Sequence, residues 1–166
     1  MTGVFRGKDT NKVDGKGRVS VPASFRRVLE ANDPSWSSGQ NPNLVIHFAT
    51  ARKNYLECYS MSAAADVDAR IGALPRGSSQ RRAMEEYFNA NSVPAGIDDT
   101  GRLVLSKDLR DMIGLAGEAL FVAAFDTFKI WNPETYREQE KPQIDAIFDA
   151  LPDDVDPLTM LEGGEF

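Results

Sequence analysis

The stretch Asp14-Gly-Lys-Gly-Arg-Val-Ser-Val-Pro-Ala-Ser-Phe-Arg-Arg-Val-Leu29 returns 84 residues later as Asp98-Asp-Thr-Gly-Arg-Leu-Val-Leu-Ser-Lys-Asp-Leu-Arg-Asp-Met-Ile113. Four of the sixteen pairs are identical: Asp14/Asp98, Gly17/Gly101, Arg18/Arg102 and Arg26/Arg110. Five more stay apolar: Val19/Leu103, Val21/Leu105, Phe25/Leu109, Val28/Met112 and Leu29/Ile113. Farther on, Leu56-Glu-Cys-Tyr-Ser60 matches Phe128-Lys-Ile-Trp-Asn132 at an offset of 72. The twelve missing residues are assigned to an insertion in the first half, the Pro/Ser/Asn/Gly-rich segment 32–43, which reads as a loop. Two copies in one order define a duplicated unit.

Each copy parses alike. A short strand (10–13; 93–97) runs into a tight Asp-x-x-Gly turn, in which Asp accepts hydrogen bonds from turn amides and Gly takes positive φ. An alternating strand follows, 18–21 or 102–105, with one apolar face. Pro22 and Ser106 open short helices whose apolar residues fall at i, i+3, i+4, and Gly114 stops the second. Two further strands complete each copy: 44–48 with 55–59, and 119–125 with 127–131. Ser60 and Asn132 stand at helix N-caps, Pro133 at a first helical position. Helices are expected over 61–74, 79–89 and 133–150, the last interrupted at Pro142. The fold expected is α+β, with residues 1–75 as first repeat, a linking helix in 76–92, the second repeat in 93–150 and an acidic, disordered tail in 151–166.

The composition is that of an ordinary soluble chain: 42% hydrophobic and 27% charged residues over 166 positions. No apolar run reaches the roughly 20 residues of a membrane helix, and the N-terminus lacks a secretory apolar core. Cys58 is the single cysteine, which points to a reducing cytoplasm. The net charge of −6 argues at first against a nucleic-acid partner. Resolved along the chain, it does not. Residues 131–166 carry ten acids and two bases, net −8, whereas the first thirty residues carry seven bases and three acids, net +4. The acidic end is expected to limit nonspecific DNA binding.

The catalytic inventory is thin, and no enzyme is expected. His47, the only histidine, lies between Ile46 and Phe48 in a strand and is expected to be a half-buried or edge side chain. Cys58 reads as a small core residue. No Cys/His cluster has metal-ligand spacing, and no phosphate loop or nucleophile elbow occurs. Neither metal nor cofactor nor small-molecule ligand is expected. What remains is Asp-x-x-x-Arg, present twice. An arginine just after a tight turn projects from a hairpin tip, where its planar fork suits phosphate or a guanine edge. Lys8, Lys12 and Lys16 could each neutralise a phosphate. Equally, Asp14 and Arg18 could pair and only stiffen the turn. Asp14, Gly17, Asp98 and Gly101 are structural turn residues on either reading.

These residues resemble the MraZ family of bacterial regulators. The matches are Phe5-Arg-Gly7, Asp14 to Arg26, Asp98-Asp-Thr-Gly-Arg-Leu103 and Phe128-Lys-Ile-Trp-Asn-Pro-Glu134. The resemblance spans roughly residues 3–150. It implies an AbrB-like swapped-hairpin barrel with both halves of a pseudo-dimer in one chain. It also implies ring-shaped homo-oligomers that bind repeated double-stranded promoter sites ahead of the division and cell-wall gene cluster, usually as repressors, in the cytoplasm at the nucleoid. By this resemblance Arg18 contacts DNA, Lys16 and Arg6 support it, and Arg102 is the second-copy counterpart. Lys16 becomes Thr100, Pro22 becomes Ser106 and Arg27 becomes Asp111, so the second hairpin is expected to serve mainly the pseudo-dimer or subunit contacts. A protein-interaction module or antitoxin-like regulator with structural hairpins remains the alternative.

Overall fold

In the computed structural model, which describes residues 3–163, the repeat becomes a strand exchange between halves. The strands are β1 (Lys8–Lys12), β2 (Arg18–Ser20), β3 (Asn43–His47), β4 (Tyr55–Ser60), β5 (Ser92–Gly96), β6 (Arg102–Val104), β7 (Glu118–Ala124) and β8 (Thr127–Trp131). Six of them form one antiparallel sheet in the order β1-β7-β8-β4-β3-β5, while β2 and β6 pair as a separate ribbon. The first strand of each half thus lies beside the third strand of the other.

Register makes the symmetry explicit. Phe121 faces Asp9 and Ile130, as Ile46 faces Val93 and Cys58. The pairs Glu57–Lys129 in the sheet and Val19–Leu103 in the ribbon are their own equivalents, so a pseudo-twofold axis passes between their partners. The offset is 84 at the hairpins, 75 at β3/β7 and 72 at β4/β8. Only nine of the twelve extra residues therefore belong to the 32–43 segment. The other three sit between β3 and β4, where the first half winds a 3₁₀ turn (Ala49–Lys53) and the second has a tight turn.

The sheet is open at β1 and β5, and an isolated Val13–Val19 bridge just past β1 links that strand's end to the ribbon. Hydrogen bonding among the described residues does not close the barrel that the resemblance implied. Three-residue β2 and β6 are consumed by pairing with each other. Both sheet edges are guarded: Lys8 and Lys12 are exposed along β1, and Pro94, which has no amide N–H to offer, stands in the middle of β5.

The helices are α1 (Ala23–Ala31), α2 (Met61–Gly72), α3 (Ser79–Met84) and α4 (Lys107–Met112). Phe25, Leu29 and Leu109 bury the apolar faces of α1 and α4. An aromatic group of Phe5, Phe25 and Phe128 centres the core, with ring centroids 5.1–5.3 Å apart. α3 passes into a π-helical segment, Glu85–Ala90, where a regular helix was expected. Ser60 caps α2 as read, its Oγ accepting from the Ala63 amide at 3.1 Å, and Ser106 caps α4 likewise. Ser60→Ala should cost about 1 kcal/mol, seen as a lower urea midpoint at unchanged m.

The chain divides into two compact units after Asn132. The second holds α5 (Pro133–Thr135), a π-helical segment (Tyr136–Glu140), α6 (Lys141–Asp149) and a 3₁₀ helix at Pro157–Glu162. Pro142 lacks an amide donor and its ring displaces the carbonyl four residues back, so the turn ahead of it widens. The 3₁₀ helix, capped by Asp156, stands where a disordered tail was expected; the last three residues of that tail lie outside the described residues.

Candidate nucleic-acid interface

The first hairpin is assembled by one carboxylate. Asp14 Oδ1 accepts from the amides of Lys16 and Arg18, each at 2.9 Å, and Oδ2 accepts from Arg18 Nε at 2.6 Å. The Gly17 amide donates to the Asp14 carbonyl, and Gly17 takes φ +83°, as the turn requires. Arg18 is thereby aimed from its Nε, while its terminal nitrogens make no hydrogen bond among the described residues. Asp14 pairs with Arg18, yet the pairing leaves the outer fork open for a bidentate contact.

Hydrogen bonds from the Arg18 amide, then the Arg18 side chain and the Lys16 amide, hold the Asp14 carboxyl at a pKa of about 2, overcoming partial desolvation. A carboxylate lowered in the folded chain stabilises it above the unfolded pKa near 4 and loses that contribution as pH falls toward about 2. Carbon-detected NMR titration should find the Asp14 carboxyl half-protonated near pH 2, with the Arg18 amide shift constant down to about pH 4.

The second hairpin repeats the frame and changes the payload. Asp98 Oδ1 accepts from the Thr100 and Arg102 amides at 2.9 Å, and Arg102 Nε donates to Thr100 Oγ1 at 2.8 Å. Its ion pair with Asp98 is longer, 3.5 Å. Hydrogen bonds from the Arg102 amide and the Thr100 hydroxyl also lower the Asp98 pKa. From the inserted loop, Asn41 Nδ2 reaches Asp99 Oδ1 at 2.7 Å. That loop is braced by buried Asp33, which accepts from Ser35 and the Asn43 amide.

Around the two frames, matched positions diverge. Asp9, Thr10, Asn11 and Ser20 of the first half correspond to Val93, Pro94, Ala95 and Val104 of the second. The last four line an open, largely apolar groove of about 340 Å³ together with Met112. Exposed Arg27 corresponds to Asp111, which is paired with Lys107 at 2.6 Å.

Of the expected basic residues, Lys16 is exposed at the hairpin tip and Lys12 ends the strand that leads into it. Asn11 Nδ2, bonded to the Ser20 carbonyl at 2.7 Å, ties that strand to β2. Lys8 and Arg6 are exposed too, but toward the far end of β1. Six residues of extended chain put Arg6 roughly 20 Å from Lys12. A duplex backbone could follow that line, but a single phosphate could not touch both ends.

Two identities in the repeat had no assigned role. Arg26 Nε donates to the Val21 carbonyl at 3.2 Å, and its guanidinium packs under Gly101. Arg110 Nε donates to the Leu105 carbonyl at 3.1 Å and packs under Gly17. Each half's helix supports the hairpin of the other, and conserved spacing in the repeat was the only signal.

His47 is fully buried, a correction to the half-buried or edge position expected. It sits on an interior strand between β4 and β5, Nε2 2.7 Å from the Tyr87 carbonyl, with its ring against Tyr87 and Phe88. Cys58 is buried in the core. Among the described residues no His/Cys/Asp/Glu group could hold a metal, and no helix is long and apolar enough to cross a membrane.

Fold and site define a class: two fused copies of a small hairpin-bearing unit, with opposed arginine turns. The sequence model described as "MraZ protein, putative antitoxin-like" matches residues 89–154. The chain is 56% identical over 159 residues to the "Transcriptional regulator MraZ" of Ruegeria sp. (strain TM1040), covering 96% of this chain and 95% of that one. It is 54% identical to the protein of the same name from Ruegeria pomeroyi, with the same coverage, and 35% identical to one from Cereibacter sphaeroides (strain ATCC 17025), over 98% of both. The chain belongs to the MraZ family.

Proposed function

We propose that this chain is a sequence-specific DNA-binding transcriptional regulator that represses the division and cell-wall gene cluster from repeated promoter sites. The observation that carries the reading is the Asp14-clamped Arg18, fixed at Nε and open at its outer fork. In this reading Arg18 contacts a guanine edge bidentately while Lys16, Lys12, Lys8 and Arg6 contact phosphates. The two halves act as a fused swapped-hairpin pseudo-dimer, which the β1–β7 and β3–β5 pairings support. Only the first hairpin reads. The second keeps Arg102 on Thr100 and Asp98, and its acidic, apolar surroundings suit contact with another copy in a ring. A ring presents several copies of Arg18 in register with repeats, gaining affinity by multivalency. The protein acts in the cytoplasm, at the nucleoid, without a cofactor or small-molecule ligand.

The test is fluorescence anisotropy on a duplex from upstream of the chain's own gene, over a range of salt, with light scattering of the free protein. Expected is preferential binding over a scrambled duplex, a salt slope of about −0.9 per neutralised phosphate, and a mass of several subunits. A stable oligomer that binds no DNA at low salt would favour an interaction or antitoxin-like module. The ion pair that occupies Arg18 Nε is the feature that reading would rest on.

A further inference from the structure

We propose that Arg110, on α4 of the second half, is a positioning residue for the DNA-reading hairpin of the first half. This rests on the reading above, in which Arg18 contacts DNA. The peptide unit that joins Gly17 to Arg18 is pinned at both ends. Its N–H donates to Asp14 Oδ1 at 2.9 Å, and its carbonyl accepts from the Leu105 amide at 2.8 Å. Asp14 belongs to the hairpin itself, whereas Leu105 comes from the other half. Leu105 is in turn held by Arg110, whose Nε donates to the Leu105 carbonyl at 3.1 Å.

The same Nε lies directly beneath the turn. A Cβ built on Gly17 would come 3.0 Å from Arg110 Nε and would run into the Leu105 carbonyl oxygen. Gly17 is therefore glycine for two reasons: a left-handed φ of +83° and the absence of room above Arg110 and Leu105. A planar fork with one donor edge is needed to pack and bond at once; a lysine ammonium on a flexible stem cannot do both. Arg110 thus sets the plane of the Gly17–Arg18 peptide, and with it the direction in which the Arg18 side chain leaves the turn. It does so without being among the basic residues of the proposed contact surface.

The molecule supplies its own control. Arg26 makes the mirrored contacts, to the Val21 carbonyl and beneath Gly101, and so supports the second hairpin, which does not read in this scheme. A merely structural arginine would give the same phenotype at both positions. A positioning role separates them.

The experiment measures anisotropy of the full-length chain on the upstream duplex and on a scrambled one, for wild type, Arg18→Ala, Arg110→Lys, Arg110→Ala and Arg26→Lys. Arg110→Lys should weaken upstream-duplex binding about tenfold with its salt slope unchanged, because the charge is kept but the aim of Arg18 is loosened. Arg26→Lys should stay within about twofold of wild type while losing similar thermal stability. Equal losses at both positions, or full affinity in Arg110→Lys, would overturn the proposal. So would a fall of about 0.9 in salt slope for Arg110→Ala, which marks a direct phosphate contact. If Arg110→Lys does not fold, amide hydrogen exchange in the wild-type chain decides: Arg18 should exchange far more slowly than Lys16, and equal rates would overturn the pinning. A wild type that fails to discriminate the two duplexes sinks the DNA reading itself. Discrimination lost in Arg18→Ala but kept in Arg110→Lys sinks only this inference.

Discussion

Gly17→Ala should destabilise the chain by about 2–5 kcal/mol, while Gly15→Ala, two residues earlier in the same turn, should change stability by no more than about 1 kcal/mol. At Gly17 two costs add. A non-glycine residue at φ +83° is strained by about 1–3 kcal/mol. The new methyl also meets the Leu105 carbonyl, a backbone atom held by Arg110 and part of the residue whose amide holds Gly17, so relief requires moving the ribbon. Gly15 has open space around its missing Cβ and no positive φ. Gly101→Ala should fall between them, because its Cβ meets the Arg26 guanidinium at 2.8 Å, the end of a side chain that can swing aside. Urea unfolding of the three variants checks the order. A Gly17→Ala no more costly than Gly15→Ala would show that the turn is not held against the other half as described.

Arg18→Ala should leave the fold intact and reduce affinity for the upstream duplex by at least about tenfold. One bidentate contact discriminates by about 1–3 kcal/mol, and in the proposed ring it would be lost at every engaged subunit. The stability cost is small by comparison. The Asp14–Arg18 pair is more than a third exposed on both sides, where an ion pair contributes about 0–1 kcal/mol, and the Arg18 amide bond to Asp14 does not involve the side chain. Loss of binding at unchanged melting temperature is therefore the expected signature. Parallel loss of both would return Arg18 to a structural role.

Local signals in the sequence were legible because they act over a few residues. The Asp-x-x-Gly turns, the Ser60 cap, the helix opened at Ser106 and the Gly114 stop follow from chemistry within one turn of chain, and each took the expected form, whereas the Asn132 side chain, expected to cap a helix, donates from Nδ2 to the Gly114 carbonyl. Partners across the halves were not legible. That β1 pairs with β7 and β5 with β3 depends on which apolar faces close over Phe25, Phe121 and Phe128, and no spacing encodes it. Offsets of 84 and 72 fix only their difference of twelve residues; strand register divides the insertion into nine and three. Arg26 and Arg110 were visible as identities, but a guanidinium beneath the opposite glycine is a fact of space. His47 looked like an edge residue because β5, which covers its strand, comes 45 residues after it in the chain.

The central claim is that one of the two equivalent hairpins reads DNA. The most direct measurement is the ratio of dissociation constants for scrambled and upstream duplexes, compared between Arg18→Ala and Arg102→Ala at fixed salt. The wild-type ratio should be about 10³ or more; Arg18→Ala should lower it at least about tenfold, while Arg102→Ala should leave it within about threefold of wild type. Undiminished discrimination in Arg18→Ala, or equal collapse in both variants, would contradict it.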